Sequence, residues 1–193
     1  MKKEEFASMF KGYSLPKELK SLFEFQTSEG VPSYYSNAIY LLEEENFIVE
    51  TFSTDETFVE SFLPFAEANS SGSVYAFWIK DASEKSLENC PIVVFGDEGG
   101  VFVVAKNLKE LLQIAAYDVE IVVVPFEEAF FTDREEDEDY ETSEFNKEYL
   151  DWLRTEAKLK PILTIEQIDD VLNEADAAYG EALATFVNPF LEN

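Results

Sequence analysis

Apolar residues recur at helical spacing near the start of the chain. Between residues 4 and 13 they occupy positions i, i+3, i+4 and i+7, which predicts a short amphipathic helix. These residues are Phe6, Met9, Phe10 and Tyr13. A second helix is predicted to begin at Pro16, because proline suits the first helical position, with Ser14 as its cap. Gly30 and Pro32 lie beyond its predicted end, where such residues stop helices.

The middle of the chain is predicted to form strands, since short apolar runs are bounded there by turn residues. The runs are Phe62–Phe65, Val74–Ile79, Ile92–Phe95 and Val101–Ala105. Val74–Ile79 is apolar on both faces, which is typical of a central strand covered on each side. Pro64 indicates an edge or a bulge. The glycines of Gly96–Gly100 allow positive φ and predict a hairpin turn. Residues 34–52 remain ambiguous, with Ala38–Leu42 as a candidate strand.

The later part of the chain returns to helical spacing. Asn107 and Glu110 form a capping-box pattern at the start of one helix, and Ile121–Val124 is a further apolar, extended segment. Residues 145–153 predict another helix. From Ile165 to Phe186 apolar residues recur in steps of three and four, which predicts one long helix, or two divided at Gly180, stopping at Asn188–Pro189.

This order of elements predicts an α+β fold, with a mixed, largely antiparallel central sheet and helices from both termini packed against it. The 193 residues fit one domain. We divide the chain into a core at 1–126, an acidic loop at 127–144 and C-terminal helices at 145–193 that pack on the same domain. We expect a cytoplasmic protein, because no apolar run reaches the roughly 18 residues of a membrane span and the first residues lack an apolar signal region.

Composition removes several classes of chemistry. The chain has no histidine, which excludes Ser-His-Asp and Cys-His catalysis and histidine-ligated metals. The one cysteine, Cys90, excludes an intrachain disulfide and a Cys-x-x-Cys redox pair. We interpret Cys90 as a partly buried, inert thiol. No catalytic residue, cofactor or metal site is predicted, and carboxylate pairs carry little information in a chain with 41 acids.

The charge is strongly one-sided. The chain has 41 acids against 14 bases, a net charge of −27. Such a charge repels nucleic acid and anionic membranes, so the charge itself indicates a basic partner. Residues 127–144 hold ten acids and one base, Arg134, and so carry −9 in 18 residues. This segment is predicted to be a solvated connector, and its sharper interpretation is a docking strip for a protein rich in Lys and Arg.

Two acidic stretches are the candidate partner-binding sites. The candidate residues are Asp97, Glu98, Asp133, Glu135, Glu136, Asp137, Glu138, Asp139 and Glu141. The glycine-rich turn around Asp97 lacks the spacing of a phosphate-binding loop. The 133–141 run lacks the ligand spacing of an EF-hand, so flexible carboxylates there would bind Ca²⁺ weakly. The alternative for any single acid is that it serves solubility alone.

Three stretches resemble the SUKH superfamily, in particular its Smi/Knr-like branch. The first is Leu15–Lys20 with Leu22, Phe23 and Gly30; the second is Phe62–Glu67 with Gly72 and Val74–Ile79; the third is Ile92–Phe95, Val101–Ala105 and Asn107–Leu112. Together they span about residues 14–116, and Glu148–Leu153 resembles a tail found in some members. The family's usual Asn-Gly-Gly is here Ser28-Glu29-Gly30.

The resemblance implies an α+β binding domain without catalytic residues. Many bacterial members are immunity proteins that neutralise toxins, often nucleases, of contact-dependent or polymorphic systems, and fungal relatives are scaffolds. The resulting expectation is a non-enzymatic immunity protein whose partner is a basic protein such as a nuclease toxin. The alternative is a scaffold or regulatory interaction domain of the same fold with no toxin partner. An enzyme that works with carboxylates alone is a third, weaker hypothesis.

Overall fold

Five antiparallel strands form the centre of the molecule. A computed structural model describes residues 1–28 and 34–191. The strands pair in the order β1-β2-β3-β4-β5, and each ladder between them is antiparallel. Their bounds are β1 Tyr40–Leu41, β2 Phe62–Glu67, β3 Val74–Trp78, β4 Ile92–Phe95 and β5 Val101–Ala105. The register shifts between Pro64 and Ala66, so the irregularity predicted at Pro64 is confirmed.

Helices enclose this sheet, and a second hairpin lies after it. The helices are α1 Lys3–Ser8, α2 Lys17–Gln26, α3 Ile48–Phe52, α4 Glu56–Glu60, α5 Leu108–Ile114, α6 Asn146–Thr155 and α7 Ile165–Leu191. A 3₁₀ turn, Ala115–Tyr117, follows α5, and the hairpin pairs β6 Ile121–Val124 with β7 Glu128–Phe131. Within the described ranges, none of the helices combines the length and apolarity needed to cross a bilayer.

The two faces of the sheet bury different apolar clusters. One cluster joins the sheet to α1, α2, α5 and α6, through residues such as Leu19, Leu111 and Leu153. The other joins the opposite face to α3, α4 and α7, through residues such as Val49, Phe58 and Leu183. Every residue of β3 is buried, as its unbroken apolar sequence predicts. The α+β class is confirmed, and the sheet that we expected to be mixed and largely antiparallel pairs its five strands in antiparallel ladders.

Two boundaries differ from the sequence predictions. Strand β7 lies inside the 127–144 segment, so the prediction of a continuous loop there is wrong; Ala129–Phe131 supply enough apolar surface to pair with β6 despite the surrounding acids. Helix α7 passes both Gly180 and Pro189 without a break. Phe190 packs on Phe58 at 5.3 Å between ring centroids, and this contact holds the last turn in place. Gly30 and Pro32 lie outside the described residues.

Candidate acidic binding surface

A cleft of about 820 Å³ opens beside the β1–β2 end of the sheet. Its walls are residues 34–46, the end of β2, the turn after β2 and the residue before β6. Five carboxylates line it: Glu43, Glu44, Glu45, Glu67 and Glu120. No Lys or Arg lies among the described residues of its lining. The cleft therefore carries concentrated negative charge, which favours a cationic occupant.

Hydrogen bonds from one buried and two partly buried side chains fix the β1 wall of the cleft. The amide of Gln26 holds β1 from below: its Oε1 accepts from the Leu41 N–H at 2.9 Å, and its Nε2 donates to the Leu41 carbonyl at 3.0 Å. Tyr35 donates to the same Gln26 oxygen at 2.7 Å. Tyr40 donates to Glu43 at 2.9 Å, and burial together with this carboxylate raises the pKa of Tyr40 to about 12. The phenol thus remains a donor that orients one cleft carboxylate.

The start of the same cleft wall, at Asn37, is held by one fully buried carboxylate, Asp118. It follows the 3₁₀ turn in the left-handed conformation, with φ of 66°. Its Oδ1 accepts from the Asn37 N–H at 2.8 Å and from the Ser143 hydroxyl, and its Oδ2 accepts from the Ser143 N–H at 2.8 Å and from the Tyr140 hydroxyl at 3.2 Å. Asp118 therefore ties the cleft wall at Asn37 to the C-terminal end of the acidic run.

The hairpin turn that holds Asp97 packs on the turn after β2, which contributes Asn69 and Ser70 to the cleft lining. Asp97 Oδ1 accepts from the hydroxyls of Ser71 and Ser73, both at 2.9 Å. Desolvation opposes these bonds, yet together with backbone N–H groups they hold the pKa of Asp97 below its usual value. In the same turn, Ser70 donates its N–H and its hydroxyl to the cleft carboxylate Glu120 at 2.9 and 3.0 Å. Asp97 thus holds the turn whose residue Ser70 binds a cleft carboxylate.

Hydrogen bonds hold the acidic run, residues 133–141, at Asp133, Arg134 and Asp137. Asp133 accepts from the Tyr117 hydroxyl at 2.9 Å, and Asp137 caps its own turn by accepting from the Asp139 N–H at 2.9 Å. The run's one base, Arg134, turns inward: it donates to the Tyr117 carbonyl at 2.9 Å and lies over the Tyr117 ring at 4.5 Å. The base therefore leaves the charge of the neighbouring carboxylates uncompensated.

Most of the predicted partner-binding carboxylates are exposed. In the described part of the chain six of them have side chains without a hydrogen-bond or ion-pair partner: Glu98, Glu135, Glu136, Glu138, Asp139 and Glu141. The Glu141 carbonyl accepts from Asn37 Nδ2 at 3.2 Å, which places the end of the run beside the cleft. The ion pairs of the described residues lie elsewhere, for example where Lys106 meets Glu174. The role of these carboxylates in partner binding stays a prediction.

The cleft itself was missed by sequence reasoning. Its carboxylates come from separate parts of the chain, and Glu43–Glu45 carried only the signal of a break in an apolar run. One sign was available: Tyr34, at the cleft, is 68% exposed, and Phe47, beside it, is 64% exposed. Exposed aromatic side chains are common where proteins bind each other, and tyrosine also stacks on guanidinium groups.

Cys90 is a protonated thiol, and the described carboxylates form no metal site. Burial, with Glu84 as the second cause, raises the pKa of Cys90 to about 11, so this thiol is protonated at neutral pH. Across residues 1–28 and 34–191, no three acidic or cysteine side chains converge in a way that could hold a metal ion.

Comparison with known proteins adds a family assignment. Searches of curated proteins and of solved structures find no match. The model of the SMI1 / KNR4 family (SUKH-1) matches residues 4–114, which hold the five-stranded sheet, α1 to α5 and four of the five cleft carboxylates. The chain belongs to the SMI1 / KNR4 family (SUKH-1).

Proposed function

We propose that this protein is an immunity protein that neutralises a basic toxin, a nuclease being the best chemical fit, by placing carboxylates on its cationic surface. Family membership is consistent with such a protein-binding role. The observation that carries the proposal is the cleft, whose described lining has five carboxylates and no base, with the end of the exposed acidic run hydrogen-bonded to its residue Asn37.

The chemistry of a nuclease matches this surface. A nuclease keeps a positive groove for the phosphates of its substrate. Carboxylates held on a fixed frame occupy that groove without being cleaved, and they need no reorganisation when they bind because Asp118 and Gln26 already hold the walls. Complementary charge also raises association rates by about 10–10³, which favours rapid neutralisation of a lethal enzyme. Tyr34 adds a ring on which an arginine of the partner stacks.

The direct test is binding to a purified basic nuclease domain, taken first from any secreted protein whose gene adjoins the gene of this protein. We expect the purified domain to form a complex with the protein in calorimetry and to lose nuclease activity at equimolar ratio. Between about 0.05 and 0.5 M salt the affinity should fall at least about ten-fold, because the Debye length shrinks across this range. Failure to bind, or binding without inhibition, contradicts the proposal.

A pair of variants with equal charge change tests the location of binding. The cleft variant carries Glu44→Gln, Glu45→Gln and Glu67→Gln, whose side chains are exposed and form no hydrogen bond or ion pair with the described residues. The control, here called the α7 variant, carries Asp169→Asn, Asp170→Asn and Glu181→Gln on the exposed side of α7. Exposed charge pairs contribute about 0–1 kcal/mol each. The cleft variant should therefore bind about ten- to a hundred-fold more weakly, and the α7 variant should bind like the wild type.

A further inference from the structure

A second concave surface lies at the β5 edge of the sheet, whereas the cleft lies at the β1–β2 side. The two share no lining residue. It is a groove of about 580 Å³ between α7, the edge strand β5 and the start of β7. Its floor holds the partly exposed apolar residues Val101 and Phe102, which lie over the buried side chains of Leu183 and Val187. On the α7 side it runs from Leu172 to Leu191, about 29 Å at 1.5 Å per residue. The groove is thus long enough for several turns of a helix.

The rim of this groove is acidic and includes an exposed aromatic ring. Glu127, Glu128 and Asp176 line it, and within the described residues no Lys or Arg does. Phe126, at the turn between β6 and β7, is 70% exposed and has a φ of 58°, a conformation that bulky residues rarely adopt. Strained positions of this kind cluster at binding sites, because the surrounding structure has to hold them in place.

The ring of Phe126 packs directly on the glycine turn at Gly99. A Cβ at Gly99 would lie 2.6 Å from the Phe126 ring, so the ring needs glycine beneath it to reach its position at the end of the groove. Gly99 itself has a φ of 117°, which only glycine adopts readily. The sequence therefore maintains an exposed aromatic side chain at the mouth of an apolar groove, at the cost of a strained backbone.

We infer that this groove docks an amphipathic segment of a partner protein, with its apolar face on the groove floor and flanking Lys or Arg residues on the acidic rim. The pairing of apolar floor and acidic rim specifies this chemistry. A second copy of the chain is the wrong occupant, because it would bring a further charge of −27 to an already acidic face.

This inference goes beyond the proposed function. The hairpin and α7 lie outside residues 4–114, which the family model matches, so two of the three elements that form the groove, all but β5, come from outside the matched region. The cleft and the groove can therefore bind separate segments of one partner, or separate partners. Substitutions in the cleft leave the groove lining unchanged, and substitutions in the groove leave the cleft lining unchanged, so the two sites can be tested separately.

The test uses a fluorescent peptide of about 18 residues, composed of leucine and lysine in helical amphipathic order, whose length matches the groove. A scrambled peptide of the same composition controls for attraction to the net negative charge. In fluorescence anisotropy we expect the amphipathic peptide to bind at least about ten-fold tighter than the scrambled one. Equal affinities would overturn the inference, because charge alone would then explain binding.

Substitutions on α7 locate the bound peptide. Ala184→Trp fills the groove from an exposed position and should lower the affinity for the amphipathic peptide at least about ten-fold, whereas Ala182→Trp, exposed and outside the lining, should leave it unchanged. Glu128→Lys on the rim should weaken binding, and Glu181→Lys, with the same charge change, should weaken it less.

Three results would count against the groove. One is peptide binding that Ala184→Trp leaves unchanged, and another is an equal effect of the two lysine variants. The third is a dimer in sedimentation equilibrium that Ala184→Trp dissociates, since this would make a second copy the occupant. The cleft variant serves as an independent control: it should keep full affinity for the amphipathic peptide, so a failure of the groove is distinguishable from a failure of the proposed function.

Discussion

Replacing Asp118 by asparagine should destabilise the protein and loosen the cleft. Asparagine keeps the shape of the side chain and tolerates the left-handed backbone, so the change isolates the hydrogen bonds. One carboxylate oxygen becomes an NH₂ group that faces a backbone N–H of Asn37 or Ser143, and the charge that strengthens all four bonds is lost. An unpaired buried donor costs about 1–3 kcal/mol, so we expect a loss of about 2–3 kcal/mol in the free energy of unfolding.

Urea unfolding measures this loss. At a typical slope of about 2 kcal/mol per molar urea, the midpoint should fall by about 1 M with an unchanged slope. The control is Asp139→Asn, which makes the same chemical change at an exposed carboxylate without a side-chain partner and should change stability by less than about 0.5 kcal/mol. Equal midpoints for Asp118→Asn and Asp139→Asn would refute the reasoning that Asp118 holds the cleft wall.

Three further predictions concern stability. Tyr75 has a buried hydroxyl that finds no partner among the described residues, whereas the buried hydroxyl of Tyr149 donates to the Leu112 carbonyl at 2.9 Å. Thermal unfolding should show Tyr75→Phe to be neutral or stabilising and Tyr149→Phe to be destabilising by about 1 kcal/mol. The reverse order would contradict this. Gly99→Ala should destabilise the fold by at least about 1 kcal/mol in urea unfolding because of its positive φ and the Phe126 ring, and Phe126→Ala in the same chain should restore part of the loss. The pKa of Asp97 is lowered in the folded state, so its stabilising contribution is present above the unfolded pKa and is lost as pH falls through the folded value. Asp97→Asn should therefore flatten the decline of stability below about pH 4, and an unchanged acid profile would argue against the bonds to Asp97.

The sheet and the long helix were predictable because their signals are local. Val74–Trp78 is an unbroken apolar run, and the turn Gly96–Gly100 carries the glycines that its positive φ values require. Helix α7 follows from apolar spacing alone. Its end was predicted three residues early, because the packing of Phe190 against Phe58 is a tertiary contact that a local proline rule does not contain.

The candidate site was only partly predictable, because its parts are distant in sequence. The exposure of the 133–141 carboxylates follows from their charge density, yet nothing local indicates that Arg134 turns toward Tyr117. A lone acid such as Asp118 carries no sequence signal of burial, and its importance appears only when Asn37 and Ser143 are brought to it. Strand β7 was not predicted, because the many acids around it indicated a solvated loop and its apolar segment is only three residues long.

The central claim is that the cleft carboxylates dock on a cationic protein surface. The most direct measurement is the association rate constant, by stopped-flow fluorescence at low salt, of the cleft variant and the α7 variant with a basic nuclease toxin domain that the wild-type protein binds. Both variants have the same net charge, so only the position of the lost charge differs. We predict that the cleft variant associates at least about ten-fold more slowly than the α7 variant. Equal rate constants would show that overall charge alone steers the partner, and would contradict the account.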